Sequence, residues 1–186
     1  SAAQAADAPQ TDIAAASKTT VVHCAHLIDT INGKLLGATS VVIDGDRVAE
    51  VVSGDAARPG ATVIDLPAND TCMPGLIDSH THLTSQFSKS TYSDQFRLNP
   101  ADYAIEGTVY AKRTLLAGFT TVRNLGESDN SSIALRNAVN KGEIPGPRIF
   151  TAGKFIGTTG GHADPSDGYR WDLQGDPTPK DGIIDS

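Results

Sequence analysis

The chain has 186 residues, of which 39% are hydrophobic, enough to build a core and too many for a disordered chain. Its 22 acidic against 15 basic side chains give a net charge of -7, and no stretch gathers Lys and Arg into a phosphate-neutralising patch, which excludes nucleic acid as a partner. No apolar run approaches the roughly 20 residues that cross a bilayer, which excludes a membrane span within it.

Residues 1–18 are rich in Ala, Ser, Gln and Asp, lack a periodic apolar face, and read as a flexible leader. Such a start is what clipping of a secretory signal leaves, and implies a periplasmic or secreted protein; a frayed or appended terminus on a cytoplasmic protein is the alternative. Residues 19–72 carry short β-type runs around Val21-Val22, Val41-Val42-Ile43, Val48 to Val52 and Val63-Ile64. Asp44-Gly45-Asp46 between two of these runs is a hairpin signal, and a small antiparallel sheet is expected. Cys24 and Cys72 allow one disulfide, but both fall in strand segments where buried free cysteine is common, so the expectation is two free thiols.

From residue 73 the rhythm changes. A strand over residues 76–83 precedes a polar loop and a helix that opens at Asn99-Pro100-Ala101-Asp102, with a cap, a first-turn proline and an acid that complements the helix dipole. Ile105, Val109, Lys112 and Leu116 share one side of this helix, and Gly118 stops it. A strand over 119–125, a helix over 131–141 and a strand over 148–155 complete a β-α-β-α-β order. That alternation predicts parallel strands, in a doubly wound sheet or part of a (β/α) barrel. A nucleotide-binding sheet is the weaker of the two, since no Gly-x-Gly-x-x-Gly turn follows any strand. Beyond Gly157 the chain reads as a long Gly- and Asp-rich loop.

The segment Pro74-Gly75-Leu76-Ile77-Asp78-Ser79-His80-Thr81-His82-Leu83 carries the chemistry. Alternate side chains of a strand face the same way, so His80 and His82 point together and can converge on one divalent ion. Asp78, two residues earlier on that face, is placed to hold a ligand histidine by hydrogen bonding. Arg123 is suited to a substrate carboxylate or to an internal salt bridge. His162, between glycines and an acidic loop of Asp164, Asp167 and Asp172, is either a substrate contact or a solvated loop residue. Tyr169 and Trp171 are candidates to pack that loop, and His23 and His26 read as structural.

These ten residues resemble the signature of the amidohydrolase superfamily, and the Thr158-Thr159-Gly160-Gly161-His162 loop is similar to that of its imidazolonepropionase-related branch, with its Xaa-Pro dipeptidases, Lys and Arg carboxypeptidases and ochratoxin amidases. The resemblance implies an α/β fold: the N-terminal part of a (β/α)8 TIM barrel over residues 73–186, preceded by part of a small β-sandwich domain over 19–72. It implies a zinc-dependent hydrolase with one or two ions, His80 and His82 as metal ligands, and His162 and Arg123 against a small amide or peptide substrate. The remaining ligands it implies are a bridging carboxylated lysine, two histidines and an aspartate on later strands. None of Lys141, Lys154 and Lys180 fits that role, and no catalytic base is named. The partners implied are the C-terminal portion of the same barrel and, for the full enzyme, further copies of itself in a homo-oligomer. Asn124 departs from the pattern, because many relatives carry Asp there. Two other readings stand beside this one: hydrolysis of a cyclic amide or an amine, and an inactive fragment that needs its other half.

Overall fold

β-Branched residues flank a tight turn at Gly45. Asp44 pairs with Arg47 across a two-residue loop in which Gly45 takes φ 62 and Asp46 keeps a negative φ, as a type II′ hairpin requires. The computed structural model describes residues 19–127 and 129–185, so the expected leader over 1–18 lies outside the described residues. The chain divides between Pro74 and Gly75 into two compact units.

The first unit contains β1 (Thr19–Cys24), β2 (His26–Asp29), β3 (Lys34–Leu36), β4 (Thr39–Asp44), β5 (Arg47–Ser53), β6 (Thr62–Asp65) and β7 (Thr71–Cys72). One sheet has the order β5-β4-β1-β6 and a second β3-β2-β7. The sheets are mixed and not antiparallel as expected: β1 runs parallel to β6, and β2 parallel to β7. The connections before β6 and β7 are long enough to bring the chain back in the same direction, which a hairpin is not. Val21, Cys24, Val42 and Ala56 are buried. Buried Ser40 donates to the Gly54 carbonyl and accepts from the Ala56 amide, so its hydroxyl is paired in both directions.

The two cysteines are joined, which corrects the expectation of free thiols. Cys24 at the end of β1 and Cys72 in β7 form a disulfide with their Cα atoms 5.8 Å apart, closing a separation of 48 residues and tying one sheet to the other. A loop of this length contributes about 4 kcal/mol by restricting the unfolded chain.

The second unit contains β8 (Leu76–Thr81), α1 (Thr91–Asp94), α2 (Pro100–Leu116), β9 (Phe119–Asn124), α3 (Ser131–Asn140) and β10 (Arg148–Thr151). Its sheet has the order β10-β9-β8 with both pairs parallel. The Asp102 carboxylate accepts from the Asn99 backbone N–H at 2.8 Å and closes the start of α2, and Gly118 at φ 96 ends it. Leu83, Ala111, Val122, Leu135 and Ile149 form the core.

The side of α2 that carries Ile105, Val109 and Leu116 is not the buried one. Ile105, Val109 and Leu116 are 66%, 54% and 76% exposed, whereas Gly107 and Ala111 face the core. A Cβ on Gly107 would come within 3.2 Å of Leu135, so close approach of helices selects small residues on the inner side. The segment after β10 is also more ordered than a plain loop. It includes 3-10 turns at Trp171–Leu173 and Pro179–Asp181, and Ile183 is buried. No helix of the described residues is long and apolar enough to cross a membrane.

Candidate functional site

The site grows from an irregular strand end. Asp78 pairs with Val122 and Thr81 with Asn124, so three residue steps of β8 oppose two of β9. Such a bulge re-aims side chains, and it falls on Ser79 and His80. Two contacts hold it. The Asp78 carboxylate accepts from the backbone N–H of His80 at 3.0 Å, and Arg123 Nε donates to the Ser79 carbonyl at 2.7 Å. Asp78 therefore grips the backbone of His80 and not its ring, and Arg123 is bonded to a neighbouring strand and not to a carboxylate.

His80 and His82 are exposed, with ring centroids 5.5 Å apart in an edge-on arrangement. His82 Nδ1 lies 3.0 Å from the Gly126 carbonyl oxygen. A carbonyl only accepts, so in the neutral ring Nδ1 carries the proton and Nε2 keeps its lone pair. This is the arrangement a histidine ligand needs. Imidazole nitrogens suit zinc and its neighbours, so the pair fits a metal as two donors. Among the described residues no group of three or more His, Cys, Asp or Glu is placed to hold an ion.

A cavity of about 700 Å³ opens beside His82. Its lining includes Tyr103, Glu127, Lys154, Phe155 and His162. The structure thus brings His82 and His162 to one space, while Arg123 is not among the residues lining it. Asp78 lines a different recess of about 400 Å³ with His82 and Arg113. The His162 loop is fastened at both ends. Asp185 accepts from the Thr159 amide and hydroxyl, and buried Asp164 accepts from the Gly160 and Ser166 amides and the Ser166 hydroxyl. The Ser166 hydroxyl, then the Gly160 and Ser166 amides, hold the Asp164 carboxyl below its ordinary value. Asp164 is therefore a loop anchor. Asp172 pairs with Arg170.

Sequence reasoning passes over Glu127. Its carboxylate is buried and accepts from Asn124 Nδ2 at 2.9 Å, from the Ser132 amide at 3.0 Å and from the Ser132 hydroxyl. Burial pushes its pKa up, and the bonds from Ser132 and Asn124 pull it back. The one signal in the sequence is its place just ahead of a helix start at Ser131-Ser132, where exposed amides attract a carboxylate.

Residues 71–181 match the amidohydrolase family model. The chain is similar to a Xaa-Pro dipeptidase whose structure holds methionine in the active site, at 37% identity and a TM-score of 0.80, over 90% of this chain and 41% of that one. It is similar to a prolidase complexed with N-methylphosphonate-L-proline, at 35% identity and a TM-score of 0.67, over 78% of this chain and 34% of that one. It also matches the ochratoxinase of Aspergillus niger at 24% identity over 152 residues, 80% of this chain and 31% of that protein. The chain thus spans well under half the length of each of these relatives. With more than half of its residues inside the family match, the chain belongs to the amidohydrolase family.

Proposed function

We propose that this chain forms the first three strands of a (β/α)8 barrel and provides the first two metal ligands, His80 and His82, of a zinc-dependent hydrolase of amide or peptide bonds. The observation that carries this reading is the contact of His82 Nδ1 with the Gly126 carbonyl, which favours a proton on Nδ1 and leaves Nε2 unprotonated on a residue that lines a cavity of substrate size. Zinc held there would supply the Lewis acidity that acidifies water and polarises a carbonyl. The chain's own residues orient and bind. Gly126 fixes the His82 ring, Asp78 and Arg123 fix the bulge that carries His80, and His162 faces the cavity on an anchored loop.

The substrate class we propose is a dipeptide or an N-acyl amino acid with a free carboxylate, which His162 would bind. The Xaa-Pro dipeptidase and prolidase neighbours support that class, and the ochratoxinase match supports the wider amide chemistry. We further propose a periplasmic or secreted location, supported by the Cys24–Cys72 disulfide, a bond rare in reducing compartments.

The full-length protein assayed against Xaa-Pro dipeptides, N-acyl amino acids and cyclic imides decides the reading. Release of free amino acid from the first two classes, with zinc content and turnover both lost in His82→Ala, is the expected result. Turnover confined to cyclic imides would replace it with the cyclic amide reading.

A further inference from the structure

Two lines of hydrogen-bond donors end on one buried carboxylate. The first begins at the backbone N–H of Leu83, the residue after His82, which donates to Asn124 Oδ1 at 2.7 Å. With Oδ1 committed, Asn124 turns Nδ2 to Glu127 Oε2. The second begins at the Gly153 N–H, which donates to Thr151 Oγ1 at 3.1 Å. Thr151 then stands 2.6 Å from Ser132 Oγ, and Ser132 donates its hydroxyl and its amide to Glu127 Oε1. The Leu83 and Ser132 backbone N–H groups can only donate, which fixes Asn124 Nδ2 on Glu127 Oε2 and the Ser132 amide on Oε1, so each Glu127 oxygen accepts at least one bond.

The same residue carries the peptide plane that orients His82. The Gly126 carbonyl faces His82 Nδ1, and the N–H of that plane, on Glu127, donates to the Gly153 carbonyl at 2.9 Å. The plane is thus held by its own N–H and by the side chain that follows it. Asn124 grips the other flank of His82 through Leu83. Asn124 is fully buried and Glu127 is 9% exposed, so water has little access to these bonds.

Resting on the proposed metal role of His82, we infer that Asn124 and Glu127 are positioning residues that set the tautomer of His82 and so prepare Nε2 for a metal ion. Glu127→Gln keeps the shape of the side chain but puts an NH2 where an acceptor is required. The new amide and that of Asn124 then present donor to donor, or Asn124 flips and faces the Leu83 N–H with its own NH2. The double variant N124D/E127Q restores the pattern. Its carboxylate at position 124 accepts from both the Leu83 N–H and the amide NH2 at position 127, whose carbonyl oxygen in turn accepts from Ser132.

The test is the ring 15N shifts of His82 in the full-length protein stripped of metal, with zinc affinity measured by competition against a chelator. In the wild type, His82 should be protonated at Nδ1. In Glu127→Gln the population should move toward the Nε2-protonated form and zinc affinity should fall roughly 10- to 100-fold. N124D/E127Q should recover both. A wild type protonated at Nε2 overturns the inference, and this measurement needs no variant to fold. So does a folded Glu127→Gln with an unchanged His82 tautomer, or a folded double variant that recovers nothing. Should the tautomer shift as expected in a protein that binds no zinc, the clamp stands and the metal reading fails.

Discussion

His23 in the first unit and His82 in the second are held in opposite ways. His23 bonds through both ring nitrogens to oxygens that accept: Nδ1 to the Asp65 carboxylate at 2.7 Å and Nε2 to the Ala56 carbonyl at 3.2 Å. Both bonds form at once only when the ring carries two protons, so in its protonated form His23 links β1, β6 and the segment after β5. His82 bonds through one nitrogen and leaves the other beside a cavity. Residue type is the same in both places, and the number of satisfied nitrogens separates a structural histidine from a candidate ligand. The two units differ likewise, since the first commits its polar groups to cohesion and the second keeps one in reserve.

Opening the disulfide should break this comparison most strongly on one side. Cys24→Ser with Cys72→Ser, or reduction, removes a crosslink worth about 4 kcal/mol, a large share of the stability of a small domain. Thermal unfolding followed with and without reductant should show the first unit melting earlier, with the His82 tautomer unchanged while the second unit stays folded. A melting curve insensitive to reductant would mean that the bond adds nothing to stability.

Gly126→Ala should act on the other side. Gly126 adopts φ 113, and a Cβ there would meet the Phe155 amide nitrogen at 2.9 Å and the Gly153 carbonyl at 3.0 Å. The strain, about 1–3 kcal/mol, is relieved only by turning the carbonyl that faces His82. Zinc affinity should therefore drop by more than the loss of stability accounts for, and the disulfide should still form. Equal zinc affinity in wild type and Gly126→Ala would detach that carbonyl from the function of His82.

The pairing of His80 with His82 is legible in the sequence because a two-residue spacing at one strand end is written in consecutive residues. The β-α-β-α-β order is legible for the same reason, each element being written in consecutive residues. What is not legible depends on partners far along the chain. The Leu83–Asn124 bond spans 41 residues and the disulfide 48, and in the folded chain Asn124 meets a carboxylate from Glu127 that no spacing rule connects to His82. Which side of α2 packs inward is also not written in periodicity, which weights large side chains such as Ile105, Val109 and Leu116, whereas tight packing places Gly107 and Ala111 inward. The strand over 148–155 also ends early, at Thr151, because Gly153 at φ 74 leaves the extended region.

The smallest expected effect sharpens the comparison by pH. The Ala56 carbonyl, then the Asp65 carboxylate, raise the pKa of His23 above its ordinary 6.5. A raised value means that the folded state holds the proton more tightly than the unfolded one. The stabilisation is complete below about pH 6.5 and is lost as the pH climbs through the folded value. The melting temperature of the wild type should exceed that of His23→Gln by more at about pH 5.5 than at about pH 8.5. A flat His23 difference would show that the ring is neutral in the fold and gives up one of its two bonds, and the contrast between the two histidines would then rest on His82 alone.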